Sequence, residues 1–160
     1  MILYLPGANY RDGNLDAVWG MLTHPDAVVG LGDGGAHYGM ICDASFPTYF
    51  LIRWVRDGAD GQRIALPEAI AALTSKPADM VGLTDRGRLV VGAKGDINII
   101  DLDALALEAP AVARDLPGDG RRLHQRARGY AASIVSGTVT YRHGEPTGAL
   151  PGRLVRGRAA

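Results

Sequence analysis

Residues 27–37, Ala-Val-Val-Gly-Leu-Gly-Asp-Gly-Gly-Ala-His, constrain the fold more than any other stretch of the 160-residue chain. Residues 27–31 are apolar without alternation, the pattern of a short strand covered on both faces in a parallel sheet. Gly32, Gly34 and Gly35 bracket Asp33, so the backbone can turn sharply and admit a neighbour that a Cβ would obstruct. Parallel α/β folds gather their chemistry at the C-terminal ends of strands, which makes Asp33 and His37 candidates for a site. Three other readings stand beside this one. Gly30, Gly32 and Gly35 fit a GxGxxG spacing, but residues 36–45 lack the helical periodicity that a dinucleotide loop must run into. Asp57 also ends a helix-like segment rather than a second strand, and a carboxylate inside a phosphate loop would repel its ligand. Asp33-Gly34 can equally be a plain tight turn, and His37 a hydrogen-bonded loop histidine.

The segments around this stretch read first as helices. Asn14 can cap a helix in which Leu15, Val18, Trp19 and Leu22 recur at i, i+3, i+4 and i+7, ended by His24-Pro25. Ser45 and Pro47 start a second helix through Phe50, Leu51, Trp54 and Val55, with Gly58 as its stop. Its apolar residues cover more than one face, which predicts packing between two surfaces. Pro67 opens a third helix with Leu66, Ile70 and Leu73 in line, and residues 75–77 restart a fourth that runs to Gly82. From Thr84 the character changes. Residues 88–91 and 97–100 are strand-like about a turn at 92–96, and residues 130–135 and 138–141 read as a second pair joined across Ser136-Gly137. Residues 101–128 are polar and contain Pro110 and Pro117, which predicts irregular structure. The reading is an α/β chain with a helix, strand, loop and helices module over 1–83 and a mainly β module over 84–160.

Charge and composition remove several function classes. Seventeen basic and seventeen acidic residues cancel, so the overall attraction to phosphate that nucleic-acid binders need is missing. The last forty residues hold eight Arg and one Glu, a pattern read as a solvated face. A hydrophobic content of 47% predicts a globular chain. Cys42 is the only cysteine, which excludes an intrachain disulfide and a CxxC metal clip, fits a reducing cytoplasm, and leaves the thiol a packing role. No apolar run approaches the length of a membrane span and no leader pattern opens the chain, so neither membrane nor nucleic acid is an expected partner.

Several motifs together carry a family likeness. Asp12-Gly13-Asn14-Leu15-Asp16-Ala17-Val18, His24-Pro25 and Leu31-Gly32-Asp33-Gly34-Gly35-Ala36-His37 resemble the last barrel unit of N-acyl-D-amino-acid deacylases of the amidohydrolase superfamily. Leu73-Thr74-Ser75-Lys76-Pro77-Ala78, the run from Gly82 to Leu89, Gly92-Ala93-Lys94-Gly95-Asp96-Ile97 and Val135-Ser136-Gly137-Thr138-Val139 with Gly144-Glu145-Pro146-Thr147-Gly148 continue it. Gly32 departs from the pattern, standing where many relatives have Ser, as does Gly95, where Ala is usual.

The resemblance implies a TIM-like (β/α)8 metal-dependent hydrolase barrel, of which this chain holds the closing βα portion, followed by part of a composite β-sandwich. A whole barrel takes roughly 200 to 250 residues, so the expected chain is a C-terminal portion, inactive without its N-terminal part. In the family, one or two divalent metals, usually zinc, serve hydrolysis of a linear amide C–N bond. Asp33 matches the acid closing the eighth strand, the expected proton acceptor and donor and a candidate metal ligand. His37, Gly34 and Gly35 would line the pocket for a small N-acyl amino acid or related amide. The family's HxH motif has no counterpart here, and His24, His124 and His143 read as ordinary structural or surface histidines. The implied partners are the missing N-terminal half or a second copy of the chain. A non-catalytic interaction module or split-enzyme subunit competes with this reading, as does a cyclic-amide hydrolase of the hydantoinase kind.

Overall fold

The computed structural model describes residues 10–30, 32 and 37–156. Its first helix, α1 (Asp16–Leu22), follows a short 3-10 turn (Arg11–Gly13). Asn14, the expected cap, stands one residue before the N-cap Leu15, which makes no side-chain capping bond; Asn14 Oδ1 instead accepts the N–H of Asp16, the first helical residue, at 3.0 Å. The second helix, α2 (Phe46–Leu51), opens after a 3-10 turn (Asp43–Ser45) with Pro47 in its first turn. It widens into one π turn (Ile52–Arg56), closed by the Asp57 N–H on the Ile52 carbonyl at 2.8 Å. α3 (Leu66–Leu73) has Pro67 in its first turn as predicted, and α4 (Ser75–Met80) follows it, ending two residues before Gly82.

These helices build the core on their apolar stripes. Phe50, Leu51 and Trp54 are buried together with Ala69 of α3, and Leu15, Val18, Trp19 and Leu22 of α1 pack against them. The Trp19 and Trp54 rings lie 5.6 Å apart, and the Arg53 guanidinium sits over the Trp54 ring, 4.5 Å from its centre. The second helix is therefore enclosed on more than one face, as its composition requires.

The strand region contributes the remaining core residue. Leu105, fully buried, enters the helical core with Ile100, Leu102 and Tyr130 around it. Asp101 Oδ1 accepts the N–H groups of Asp103 and Ala104, both at 3.1 Å, and so folds the backbone into the turn that delivers Leu105.

Among the described residues eight strands follow α4: β1 (Ile97–Ile100), β2 (Ala106–Leu107), β3 (Ala111–Leu116), β4 (Gly120–His124), β5 (Ala127–Arg128), β6 (Tyr130–Val135), β7 (Thr138–Arg142) and β8 (Glu145–Pro146). They form one four-stranded sheet in the order β1-β6-β7-β8 and two ribbons, β2-β5 and β3-β4, all antiparallel. The β6–β7 hairpin turns at Ser136 (φ 51) and Gly137 (φ 78), both left-handed, as a two-residue hairpin loop requires. Asp96 Oδ1 accepts the Ser136 N–H at 2.8 Å and the Gly95 carbonyl accepts that of Gly137 at 2.8 Å, which sets β1 in register with β6.

Three expectations are corrected. Residues 27–30 form no strand, and Val28 is 39% exposed. A parallel strand has no ladder without a parallel neighbour, and every described ladder is antiparallel. Residues 88–91 are not a strand either. The turn after them is bonded to the 136–137 turn, β1 pairs with β6 instead, and Leu89, Val90 and Val91 stand exposed. Residues 101–128 are not irregular but carry β2 to β5, stabilised by cross-strand ion pairs rather than by apolar alternation. No helix among the described residues is long and apolar enough to cross a membrane.

Candidate functional site

Asp33, Gly34 and Gly35, the expected acid and pocket glycines, lie outside the described residues together with Leu31 and Ala36. Both flanks of that tetrapeptide, Gly32 and His37, are described. A Cβ on Gly32 would come within 2.6 Å of Phe46 Cδ1 and 2.8 Å of the Asp43 carbonyl oxygen, so this position abuts the turn that starts α2. A larger residue there would force its neighbours to shift, which gives the departure from the Ser that the resemblance expects a steric reason.

His37, the predicted pocket histidine, is exposed and takes a left-handed conformation at φ 51. Its carbonyl accepts the N–H groups of Met40 at 2.8 Å and Ile41 at 3.0 Å, closing a turn directly after the glycine loop. The segment then runs alongside β4. Leu123 donates its N–H to the Tyr38 carbonyl at 2.6 Å, and Ser45 Oγ donates to Gln125 Oε1 at 2.6 Å. Gln125 Nε2 in turn donates to the Glu108 carbonyl at 2.9 Å. The sequence reading places Ser45 at a helix start and misses its bond to Gln125, eighty residues away, for which no local signal exists.

Beyond this segment a cleft of about 430 Å³ opens between the start of α2 and the large sheet, lined among others by Pro47, Thr48, Asn98, Tyr130 and Ser133. Two pairs of its polar groups bond to each other. Thr48 Oγ1 and Tyr130 Oη are 2.7 Å apart, and Ser133 Oγ donates to Asn98 Oδ1 at 2.7 Å.

The ionisable groups nearby are arranged as structural pairs. Arg122 binds Asp115 through two parallel hydrogen bonds, Nε to Oδ1 at 2.8 Å and Nη2 to Oδ2 at 2.7 Å, and this holds the Asp115 carboxyl below the usual carboxylate range. Burial pushes the Cys42 thiol up, helped by the neighbouring Asp43 carboxylate, which disfavours the reactive thiolate. His24 Nδ1 accepts the Asp26 N–H at 3.2 Å just past α1, His124 lies 3.4 Å from Arg122 Nη1, and His143 occupies the turn between β7 and β8 with φ 49. Among the described residues no three His, Cys, Asp or Glu side chains converge as a metal would need. The described donor set therefore does not by itself fit a zinc or other divalent ion.

The model of the Amidohydrolase family matches residues 7–141, a span that includes the glycine loop, all four helices and the strands through most of β7. N-acyl-D-glutamate deacylase of Alcaligenes xylosoxydans xylosoxydans is 32% identical over 109 residues, which is 68% of this chain and 20% of that protein. Dihydroorotase of Lactiplantibacillus plantarum is 48% identical over 40 residues, 25% of this chain and 9% of that protein. The chain thus spans a minor part of the length of the curated relatives it matches. No solved structure matches it significantly. With most of its length under the family model, and with the Gly-Asp-Gly-Gly loop inside that match, the chain belongs to the amidohydrolase family.

Proposed function

We propose that the chain is the C-terminal portion of a metal-dependent hydrolase that cleaves a linear amide C–N bond of an N-acyl amino acid, with residues 1–83 completing the barrel and 84–160 contributing to a β-sandwich. The observation that carries this is the family match over 7–141, which includes Asp33, taken with the deacylase similarity over 109 residues. Amidohydrolases are generally metal-dependent, and a divalent ion would polarise the scissile carbonyl and acidify water in the complete enzyme. Its ligands are assigned to residues outside the described ones.

The role proposed for Asp33 is proton transfer. As a carboxylate it accepts a proton from the water whose oxygen forms the new bond to the acyl carbon. It then returns that proton to the nitrogen as the C–N bond breaks, leaving a carboxylic acid and a free amine. His37, Gly34 and Gly35 are proposed to border the acyl amino acid, the glycines allowing close backbone approach. Replacing Asp33→Asn in the complete hydrolase is expected to lower turnover on an N-acyl-D-glutamate by several orders of magnitude with folding unchanged, because an amide cannot accept the proton. Turnover near wild type would overturn the assignment.

A second reading has its own observation. The dihydroorotase similarity, though confined to 40 residues, favours a cyclic amide as substrate. Assaying the complete enzyme on N-acyl-D-amino acids beside dihydroorotate and hydantoins separates the two, since each reading expects turnover on one class and little on the other.

A further inference from the structure

The cleft between α2 and the large sheet has no part in the amide chemistry, and a register shift in the sheet sets its floor. Asn98 of β1 stands opposite Ser133 of β6, and Ile100 opposite Tyr130, so β6 spends one more residue than β1 over this stretch. Residues three apart point to opposite faces of a regular strand, but a bulge of one residue returns Tyr130 to the face of Ser133. Tyr141 of β7 lies opposite Ser133. Asn98, Tyr130, Ser133 and Tyr141 therefore share the floor, and Pro47 and the buried Thr48 of α2 face them.

The donors of this cleft outnumber the acceptors they meet. Asn98 Oδ1 takes the Ser133 hydroxyl proton, which leaves the N–H groups of the Asn98 amide without a partner among the described residues. The Thr48 and Tyr130 hydroxyls share one bond, so one hydroxyl proton of the pair stays available. A guanidinium only donates, so the 3.4 Å contact of Arg122 Nη1 makes His124 Nδ1 the acceptor and leaves the ring proton on Nε2. Arg126 turns Nη2 to the Gly144 carbonyl and the Glu145 carboxylate, which leaves Nε and Nη1 without partners among the described residues. Neither Asp nor Glu lines the cleft. Its volume of about 430 Å³ is that of a small-molecule site. Unmatched donors select an anion, and the Pro47 and tyrosine rings select an organic body over an inorganic ion.

We propose that this cleft binds a small organic carboxylate, its anionic end taking the Asn98 amide and the open edge of the Arg126 guanidinium, its apolar body lying along Pro47 and the Tyr141 ring. The carboxylate oxygens are acceptors only, which is what these donors lack. Nothing in this assignment depends on the role proposed for Asp33.

The test titrates benzoate into the 160-residue chain, with benzamide as its neutral counterpart, and follows backbone and side-chain NMR shifts. Saturable shifts are expected at Asn98, His124, Tyr130 and Tyr141, with a Kd of about 1 mM for a ligand of this size. Benzamide is expected to bind roughly tenfold more weakly, because it cannot form the charge-assisted bonds. Asn98→Asp keeps the acceptor for Ser133 but sets a carboxylate against the ligand, and Arg126→Gln removes the cation; each should raise the Kd about tenfold or more. Arg121→Gln removes an exposed arginine outside the cleft and should leave the Kd unchanged. Should Asn98→Asp not fold, the contrast of Arg126→Gln with Arg121→Gln decides alone. Shifts that fail to saturate by about 20 mM would overturn the proposal. So would equal affinity for benzamide, which marks a merely apolar cleft, or equal loss in Arg121→Gln, which marks diffuse attraction to the arginine-bearing surface.

Discussion

Arg56 Nη1 lies 2.6 Å from the carbonyl oxygen of Leu105, and this bond seats the one strand-region residue that is fully buried in the helical core. The same nitrogen faces the Leu102 and Asp103 carbonyls at 3.1 and 3.2 Å, while Nε and Nη2 are held by Asp57 at 2.7 and 2.9 Å. The π turn ends at Arg56, so the widened helix and the 102–105 turn meet at one guanidinium.

Arg56→Met keeps much of the aliphatic stem but leaves those carbonyls without their donor. A fall in Tm of about 5 °C is expected, measured by far-ultraviolet circular dichroism. Arg56→Lys should recover only part of it, because an ammonium cannot hold Asp57 through two parallel bonds while facing the turn. Equal Tm values for wild type and Arg56→Met would show that the turn is held by Leu105 burial alone.

Gly129 and Gly137 separate close approach from backbone strain. Both have positive φ, 95 and 78, but a Cβ on Gly129 would lie 2.6 Å from Leu105 Cα and 2.8 Å from its nitrogen, whereas one on Gly137 would meet nothing within 4 Å. Gly137→Ala is expected to cost about 1 kcal/mol, the price of a left-handed alanine. Gly129→Ala must also displace Leu105, so a loss of roughly 3 kcal/mol or more is expected from urea unfolding. Similar losses at the two positions would mean that the backbone near Leu105 yields freely.

The helices could be read from the chain because their signals are local. Leu15, Val18, Trp19 and Leu22 mark a stripe, and Pro67 marks a start, within a few residues of the structures they specify. The β6–β7 hairpin could be read for the same reason, through Ser136-Gly137. What escaped the reading depends on distant partners. Leu105 is a single apolar residue in a polar stretch, and only the helices that receive it give it meaning. β3 and β4 lack alternating apolar residues because Asp115 and Arg122 hold them, with Arg114 and Asp119 paired near the turn. Residues 27–30 carry the composition of a buried parallel strand, but composition cannot supply the neighbouring strands that would make one. At the candidate site, Asp33 and its glycines lie outside the described residues, and the bonds of Ser45, Gln125 and Leu123 were not legible because their partners are distant in the chain.

Gly32 offers a test of the site's flank. Gly32→Ser would restore the residue that the family resemblance expects, yet its Cβ would meet the Asp43 carbonyl at 2.8 Å as well as the Phe46 ring at 2.6 Å. The ring can rotate, but the carbonyl belongs to the turn that starts α2. The variant is expected to lose about 1–2 kcal/mol in urea unfolding and to change the chemical shifts of residues 43–46. Unperturbed shifts in that turn would show that Gly32 does not press on it.

Acid should act on the chain through its arginine-paired carboxylates. Arg56, Arg88, Arg86 and Arg122 each hold an aspartate, respectively Asp57, Asp79, Asp85 and Asp115, below the usual carboxylate range by direct hydrogen bonds. A carboxyl whose pKa is lower folded than unfolded contributes stability that is complete above its unfolded value, about 3.9, and disappears as pH falls through the folded one. The urea midpoint is therefore expected to be level from pH 7 to about 5 and to drop below about 4, more so in low salt, because these pairs face water and are screened. Asp115→Asn should lower the midpoint at pH 7 and make the acid drop shallower, since its share of the proton uptake is gone while the other three pairs remain. A midpoint that stays level from pH 5 to 3 would mean that these ion pairs contribute nothing to holding the fold.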